Sequence, residues 1–337
     1  MLLKTIKIVL VVAVVIPLLL SAWFSFDFYF APKTSPKEIF FVVDKGQGIH
    51  NIVQNLKEKG VIKKRRSFLL GYKIYYSSKS LKAGEYMFNL PISPKDILKI
   101  LTEGKVHLHP LTIPEGLTIK EIARHLESLH FTDEEEFIAA SSKTDTISSL
   151  DKEAANLEGY LFPETYHFPK GTSAEKMIST LVSQFKKVFS EAWQKRASEI
   201  KMTPREVVIL ASLIEKETFL SEEKKVVSAV FHNRLRIRMK LDCDPTIIYV
   251  LKEEGSFKGR LLRKDLKLKS PYNTYRNRGL PPGPICSPGQ ESLEAALYPA
   301  QEKYLYFVSK KDGSHQFSSS FRDHQNAVRR YRKIGNK

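Results

Sequence analysis

The chain has 337 residues, of which 42% are hydrophobic, as expected for a globular protein of about two domains. Its 54 lysines and arginines outnumber 37 acidic residues, and the net charge of +17 favours an anionic partner such as nucleic acid, phospholipid or wall polymer. No zinc-ligand spacing, Walker loop or Gly-x-Gly-x-x-Gly motif occurs, so the sequence predicts neither a metal nor a cofactor. The two cysteines, Cys243 and Cys286, leave open both one disulfide and two separate buried thiols.

The first predicted element is an uncharged apolar segment, Ile8 to Phe26, which is long enough to cross a bilayer. Lys4 and Lys7 precede it, which favours a cytoplasmic N-terminus. An interfacial belt of aromatic residues ends it: Trp23, Phe24, Phe26, Phe28, Tyr29 and Phe30. A cleaved signal peptide is the alternative, but its apolar core would be shorter. We therefore predict that residues 1–30 are a cytoplasmic tip and a transmembrane anchor, which argues against nucleic acid as the partner.

A small module is predicted at residues 38–130, after a linker at residues 31–37. Its pattern repeats a strand, a turn and a helix three times. The strands are expected at 39–43, 83–88 and 111–113, and the helices at 49–56, 93–101 and 119–126. Such units can grip an extended polymer or serve as scaffold, and this segment contains no catalytic constellation. We interpret it as a binding or spacing module.

The second domain is predicted to begin at residue 156, after an acidic, serine-rich connection at residues 131–155. Helices are expected at about 174–193, 203–218 and 224–236. The C-terminal region is richer in loops and ends with a predicted hairpin, formed by strands at 304–308 and 315–317 around Asp312-Gly313, and a basic helix from about Arg322. The sequence therefore predicts an α+β fold with a mixed helical domain that ends in a β-hairpin.

The most informative segment is the predicted helix at residues 203–218. Thr203 and Glu206 form a capping box at its start. One apolar stripe is expected to contain Val207, Leu210, Ala211, Ile214 and Thr218. Glu217 flanks this stripe and Glu215 falls further round the helix. Since a carboxyl against apolar neighbours resists ionisation, the pKa of Glu217 is expected to rise toward that of a general acid. A solvated or lysine-paired glutamate is the alternative.

Three further segments combine stiff loops with tyrosines and neutral hydrogen-bonding groups, as a sugar-binding site requires. They are Phe231–Arg236 with Leu241–Tyr249, Ser270–Tyr275, and Gly279–Ile285. Each segment alone is compatible with ordinary turn chemistry. Their occurrence together with an apolar-flanked glutamate favours a saccharide site.

Several runs in the second domain resemble one known family. They are Glu158–Thr165, Ala211–Thr218, Phe231–Arg236, Asp244–Thr246, Ser270–Tyr275, Gly279–Pro284 and Tyr304–Val308. Together they resemble the YceG-like (MltG) family of membrane-anchored endolytic murein transglycosylases, and the similarity extends to the anchor and to a small LysM-like module. The resemblance implies that Glu217 is the catalytic acid and that Glu215 supports it. Cys243, Cys286 and His232 depart from the residues expected there, and none is expected to touch the acid.

The resemblance also implies an activity. A lyase without cofactor or metal would cleave the MurNAc–GlcNAc bond within glycan strands, leave 1,6-anhydro-MurNAc ends and terminate nascent strands. The predicted glycan groove or acid-orienting set is Asn233, Asp244, Thr246, Tyr272, Asn273 and Tyr275. A muramidase that uses water with the same acid and a non-catalytic wall-binding scaffold remain as alternatives.

The implied location is the cell (inner) membrane, crossed once, with the catalytic domain at residues 156–337 on the extracytoplasmic or periplasmic side. The expected partners are peptidoglycan strands, the membrane through residues 8–26, and neighbouring penicillin-binding proteins. No nucleic acid is expected to bind.

Overall fold

The computed structural model of the protein describes residues 2–334, with side chains for residues 11–331. The predicted orientation of the anchor depends on the side chains of Lys4 and Lys7, which lie outside the described side chains. The chain divides into two compact units by packing: Met1–His109 with His167–Lys170, and Pro110–Tyr166 with Gly171–Lys337.

The first unit begins with helix α1, Leu2–Tyr29. Within the described residues, its segment Val11–Tyr29 is the one helix long and apolar enough to cross a membrane, with a mean hydropathy of 2.1. Most of this segment is exposed, as a lipid-facing helix would be. Its last two turns differ, because Phe24 and Phe28 are buried in the core of the first unit.

The rest of the first unit is a two-stranded antiparallel sheet packed with three helices. In chain order the elements are β1 (Lys37–Val43), α2 (Ile49–Glu58), α3 (Arg65–Tyr75), β2 (Gly84–Leu90) and α4 (Pro94–Glu103). Lys37 lies opposite Leu90 in the sheet, and Val43 lies opposite Gly84. The sequence analysis did not predict α3. On the side of α3 that faces α1, the buried residue is Gly71 and not a large apolar residue.

The second unit is mainly helical. Its elements are β3 (His109–Thr112, which starts at the unit boundary), α5 (Ile119–Ser128), α6 (Glu134–Ser141), β4 (Thr165–Phe168, which ends across it), α7 (Ala174–Val188), α8 (Glu191–Glu199), α9 (Pro204–Glu217), α10 (Ser221–Arg236), α11 (Asp244–Glu253), a short 3₁₀ helix (Asp265–Lys267), α12 (Gln290–Leu297), β5 (Tyr306–Ser309), β6 (His315–Ser318) and α13 (Phe321–Ile334). Strands β5 and β6 pair antiparallel, with Tyr306 opposite Ser318. Helix α9 packs against α8, α10, α11 and α12, and so occupies the centre of the unit.

Two features differ from the sequence-based expectations. The helix predicted from Ala174 to about Trp193 is broken, since Ser190 is extended and starts α8 after the buried Phe189. The third strand–turn–helix repeat, predicted as part of the first module, packs within the second unit. One contact there is the backbone N–H of Ile119, which donates to the Glu158 carboxylate at 3.2 Å and caps α5.

Candidate active site

Helix α9 carries Glu217 to the middle of the second unit. The predicted capping box is present: Thr203 accepts from the backbone N–H of Glu206, whose carboxylate accepts from the N–H of Thr203. All five residues of the predicted apolar stripe are buried. The other faces of the helix are also buried from Val207 to Glu215, which the stripe did not predict. Thr218 is extended, which makes Glu217 the last helical residue.

The Glu217 carboxyl is half-buried, and its surroundings disfavour its charge. Burial is the main cause that raises its pKa to about 7. A hydrogen bond from Cys243 and the charge of Arg234 lower the pKa, whereas the charge of Asp244 raises it. A carboxyl that titrates near neutral pH can both give and take a proton, which is the property that a general acid and base needs.

Arg234 is a component of this site that the sequence patterns did not single out. Its Nε donates to the carbonyl of Leu305 and its Nη1 to that of Leu241, both at 2.7 Å. Nη1 also lies 3.8 Å from the carboxylate of Asp242. These bonds hold a buried cation near Glu217, where it stabilises the carboxylate form.

Cys243 touches the acid, contrary to the expectation that it would not. Its backbone is fixed on both sides: its N–H donates to Oγ1 of Thr274 at 3.0 Å, and its carbonyl accepts from Oγ1 of Thr246 at 2.7 Å. Cys243 and Cys286 are both buried free thiols, so the disulfide alternative does not apply. Burial raises the pKa of the Cys243 thiol, which therefore stays protonated and can donate to Glu217.

Asp244 and Tyr275 are the predicted groove residues that the structure links to the acid. Asp244 is exposed at the start of α11, and the hydroxyl of Tyr275 donates to its Oδ1. The charge of Asp244 acts on Glu217, as described above. Since Tyr275 is only partly buried, the pair offers a polar surface beside Glu217.

Asn233, Thr246 and Asn273 were predicted to line the groove or orient the acid, but their polar groups bond mainly to the protein backbone. The amide of Asn273 donates to the carbonyls of Leu266 and Leu268, and its Oδ1 accepts from the N–H of Tyr275. Asn233 donates to the carbonyls of residues 302 and 304. All three side chains are buried and shape the loops around the site. Asn233 also forms part of the wall of a cavity that includes the start of α9.

Tyr272 is half-buried and packs beside Tyr249, with the ring centroids 5.2 Å apart. A β-carbon on Gly283 would lie only 2.8 Å from the Tyr272 hydroxyl, so the ring packs closely against the backbone of this glycine. Tyr272 therefore supports the Gly279–Ile285 loop.

Glu215 points away from Glu217, because two helical residues are separated by about 200°. Its Oε2 accepts from the N–H of Gly289 at 3.0 Å and from Oγ of Ser292 at 2.6 Å, at the start of α12. The ammonium of Lys224 lies 3.5 Å away. Glu215 thus links α9 to α10 and α12. The family resemblance implied instead that Glu215 supports the acid Glu217.

Two other features bear on the site. A cavity of about 1300 Å³ lies beside the first half of α9, where Thr203, Glu206 and Ile209 line it, and Asn233 of α10 is also in its wall. Glu217 is not among its lining residues. Among the described residues, no cluster of three or more His, Cys, Asp or Glu side chains is arranged to hold a metal ion.

The Cys243–Glu217 contact predicts a change in pH dependence. Activity that needs neutral Glu217 should be steady below its pKa of about 7 and decline above it. Because the thiol favours the carboxylate, Cys243→Ala should move this decline to higher pH by about half a unit or more. Cys243→Ser, which retains a donor, should stay closer to the wild-type profile.

Cys286→Ala is the control, since Cys286 bonds to the carbonyl of Ser212. Identical profiles for the Ala and Ser variants of Cys243 would contradict this role.

Comparison with known proteins identifies the family of the chain. The model of the YceG-like family matches residues 41–330. A relative from Bacillus subtilis (strain 168), named endolytic murein transglycosylase, is 32% identical over 315 residues, covering 89% of this chain and 86% of the relative. A relative of the same name from Streptococcus pneumoniae serotype 2 (strain D39 / NCTC 7466) is 30% identical and covers 87% of this chain, which spans 58% of the relative.

A solved structure agrees with this assignment. The crystal structure of a YceG-like protein from Listeria monocytogenes is 34% identical to this chain, with a TM-score of 0.59. The match covers 86% of this chain and 98% of that protein.

Proposed function

The chain belongs to the YceG-like family, and on that premise we propose that it is an endolytic murein transglycosylase. The name of its relatives supports this activity, and Glu217 supports the chemistry. The observation that carries the proposal is a half-buried carboxyl with a pKa of about 7, held at the end of a central helix beside Arg234 and Asp244. A proton donor so placed can act on a polysaccharide without a metal or a cofactor.

In the proposed reaction, neutral Glu217 donates its proton to the glycosidic oxygen between MurNAc and GlcNAc. The bond from this oxygen to C1 of MurNAc breaks, and GlcNAc leaves with a free hydroxyl. The Glu217 carboxylate then takes the proton of the MurNAc C6 hydroxyl while O6 bonds to C1. This step forms the 1,6-anhydro ring, restores the neutral acid and consumes no water.

The neighbours of Glu217 have distinct parts in this proposal. Arg234 and Cys243 stabilise the carboxylate that forms between the two proton transfers, because both favour the charged form. Asp244 and Tyr275 contact the glycan, since they present the accessible polar surface beside the acid. Glu215 has no chemical part, because its carboxylate is bonded to α12 and Lys224.

One observation favours a muramidase as the second candidate. Asp244 lies near Glu217, and most glycosidases use a pair of carboxyl groups, one as acid and one as nucleophile or base. In that case water would attack C1 and no anhydro ring would form. A non-catalytic wall-binding scaffold has no comparable support at this site.

The mass of the products decides between the two enzymes. We expect the purified full chain, incubated with uncrosslinked glycan strands, to release fragments with 1,6-anhydro-MurNAc ends. These are lighter by one water than the products of a muramidase digest run in parallel. Products with reducing MurNAc ends would identify a muramidase, and intact strands would favour the scaffold.

The setting of the reaction is part of the proposal. We infer that α1 anchors the chain in the cell membrane with its N-terminus in the cytoplasm, and that both compact units lie on the outer side. The part of the first unit that follows the anchor would be the LysM-like wall-binding or spacing module, without the third repeat that was predicted to belong to it. The second unit, which contains residues 156–166 and 171–337 of the predicted catalytic domain, would carry the activity. Cleavage close to the membrane would terminate nascent strands beside penicillin-binding proteins.

A further inference from the structure

The end of the anchor helix is built into the first unit. Phe24 and Phe28 belong to the same buried core as Phe41 and Phe88. Phe28 lies so close to Gly71 of α3 that a β-carbon there would be 2.1 Å from its ring. Because any side chain at position 71 would displace Phe28, α1 and α3 pack directly against each other. The first unit is therefore fixed to its anchor instead of hanging from a flexible linker.

This packing fixes how close one side of the first unit lies to the membrane surface. Lys64 precedes α3, and its Nζ lies 3.0 Å from Asp27 and 4.8 Å from the ring centroid of Trp23. Tryptophans at the end of an apolar span occupy the headgroup region. If α1 spans the bilayer, the side of the first unit that carries Lys64 lies at the same level.

A cavity of about 480 Å³ opens on this side. Its apolar walls include Phe26, Phe30, Ile62 and Ile92. The rings of Phe26 and Phe30 stack at 5.4 Å and are both largely exposed. A volume of this size accommodates a small ligand, and its walls suit a partner with an apolar portion.

The cavity is also cationic. Its lining contains Lys33, Lys63 and Lys64 against one carboxylate, Asp27, a net charge of +2 from three lysines minus one aspartate. The Lys63 ammonium donates to the carbonyl of Lys33 at 3.2 Å, and this bond holds the linker at residues 31–37 beside the cavity. Lysines and arginines at this depth attract anionic headgroups.

We propose that this cavity binds the headgroup and glycerol region of an anionic phospholipid from the leaflet that faces the first unit. The lysine ammonium groups bind the phosphate, while Phe26, Phe30 and Ile92 cover the upper acyl chains. A bound lipid fastens the first unit to the membrane surface at a second point beside the anchor. The inference depends on the membrane anchoring proposed above and not on the reaction at Glu217.

The test uses the full chain in nanodiscs of phosphatidylcholine and phosphatidylglycerol in equal amounts. Native mass spectrometry of the released protein counts the lipids that it retains. We expect the wild type to retain phosphatidylglycerol in preference to phosphatidylcholine by on the order of tenfold. The double variant Lys63→Gln/Lys64→Gln should lose most of this preference, because two of the three cationic groups are removed.

The matched control is Lys82→Gln/Lys105→Gln. It removes the same charge from the first unit, but both lysines contact Glu103 at the opposite end of α4 from Pro94, which lines the cavity. This variant should keep the wild-type preference. Glycerol 3-phosphate in the buffer should not displace the lipid, because it lacks acyl chains.

Three results would overturn the inference. These are equal retention of the two lipids by the wild type, an unchanged preference in Lys63→Gln/Lys64→Gln, and an equal loss in the control. Release of the chain from membranes by alkaline carbonate would instead show that the anchoring is wrong. The mass of the glycan products reports on the proposed reaction separately from both.

Discussion

Replacing Glu217 with glutamine is expected to abolish glycan cleavage, with a fall in rate of about 10⁴-fold, the upper end for the loss of a general acid. The amide of glutamine cannot supply the proton that the glycosidic oxygen takes, nor accept the proton of the C6 hydroxyl. The substitution therefore removes the group that carries out both proposed proton transfers. The measurement is the initial rate of release of soluble fragments from purified peptidoglycan.

The same substitution should not weaken the fold. The pKa of Glu217 is raised from 4.5 to about 7, so the folded protein binds the proton more tightly than the unfolded chain. The stability this provides is complete below pH 4.5 and is lost as the pH rises through 7. Neutral glutamine avoids that loss, so Glu217→Gln should melt near the wild-type temperature at pH 4 and at or above it at pH 8.

Controls separate the chemistry from general effects of charge. Glu135→Gln changes an exposed glutamate on α6 and should leave both the rate and the melting temperature unchanged. A Glu217→Gln protein that cleaves at the wild-type rate would remove Glu217 from the mechanism. A much lower melting temperature at pH 8 would show that the carboxylate is structural.

Replacing Glu215 with alanine should have the largest effect on stability. The substitution leaves the buried Lys224 ammonium without its buried partner and removes the acceptor for Gly289 and Ser292. Breaking a buried ion pair from one side costs about 3 kcal/mol. We expect the free energy of unfolding of the second unit to fall by about that amount, measured by urea titration.

The chain supplies a matched control for this loss. Glu291 lies 3.6 Å from the same lysine, but 58% of its side chain is exposed. Removal of an exposed partner costs less than about 1 kcal/mol. Equal losses for Glu215→Ala and Glu291→Ala would show that burial of the Glu215–Lys224 pair does not matter. A Glu215→Gln variant with full stability and no activity would instead restore the chemical role implied by the family resemblance.

The comparison of these two glutamates shows how much of the site was predictable. The capping box at Thr203 fixed the helical phase, and the apolar neighbours of Glu217 suggested a raised pKa. The same pattern did not predict that α9 is buried all round, because the partners that cover its other faces come from α10, α11 and α12. The helical pattern placed Glu215 away from Glu217, and only the family resemblance implied that it supports the acid, whereas its carboxylate bonds to the start of α12.

The sequence by itself determined the local features: the apolar N-terminal helix, the capped helix that carries Glu217, and the family. These depend on residue type and short spacing, which the chain carries wherever it packs. Only the tertiary structure decided that Cys243 contacts the acid, that Arg234 lies beside it, and that Phe28 of the anchor packs on Gly71. Each of these contacts joins residues of different elements, and the distances between them depend on how the helices and loops pack.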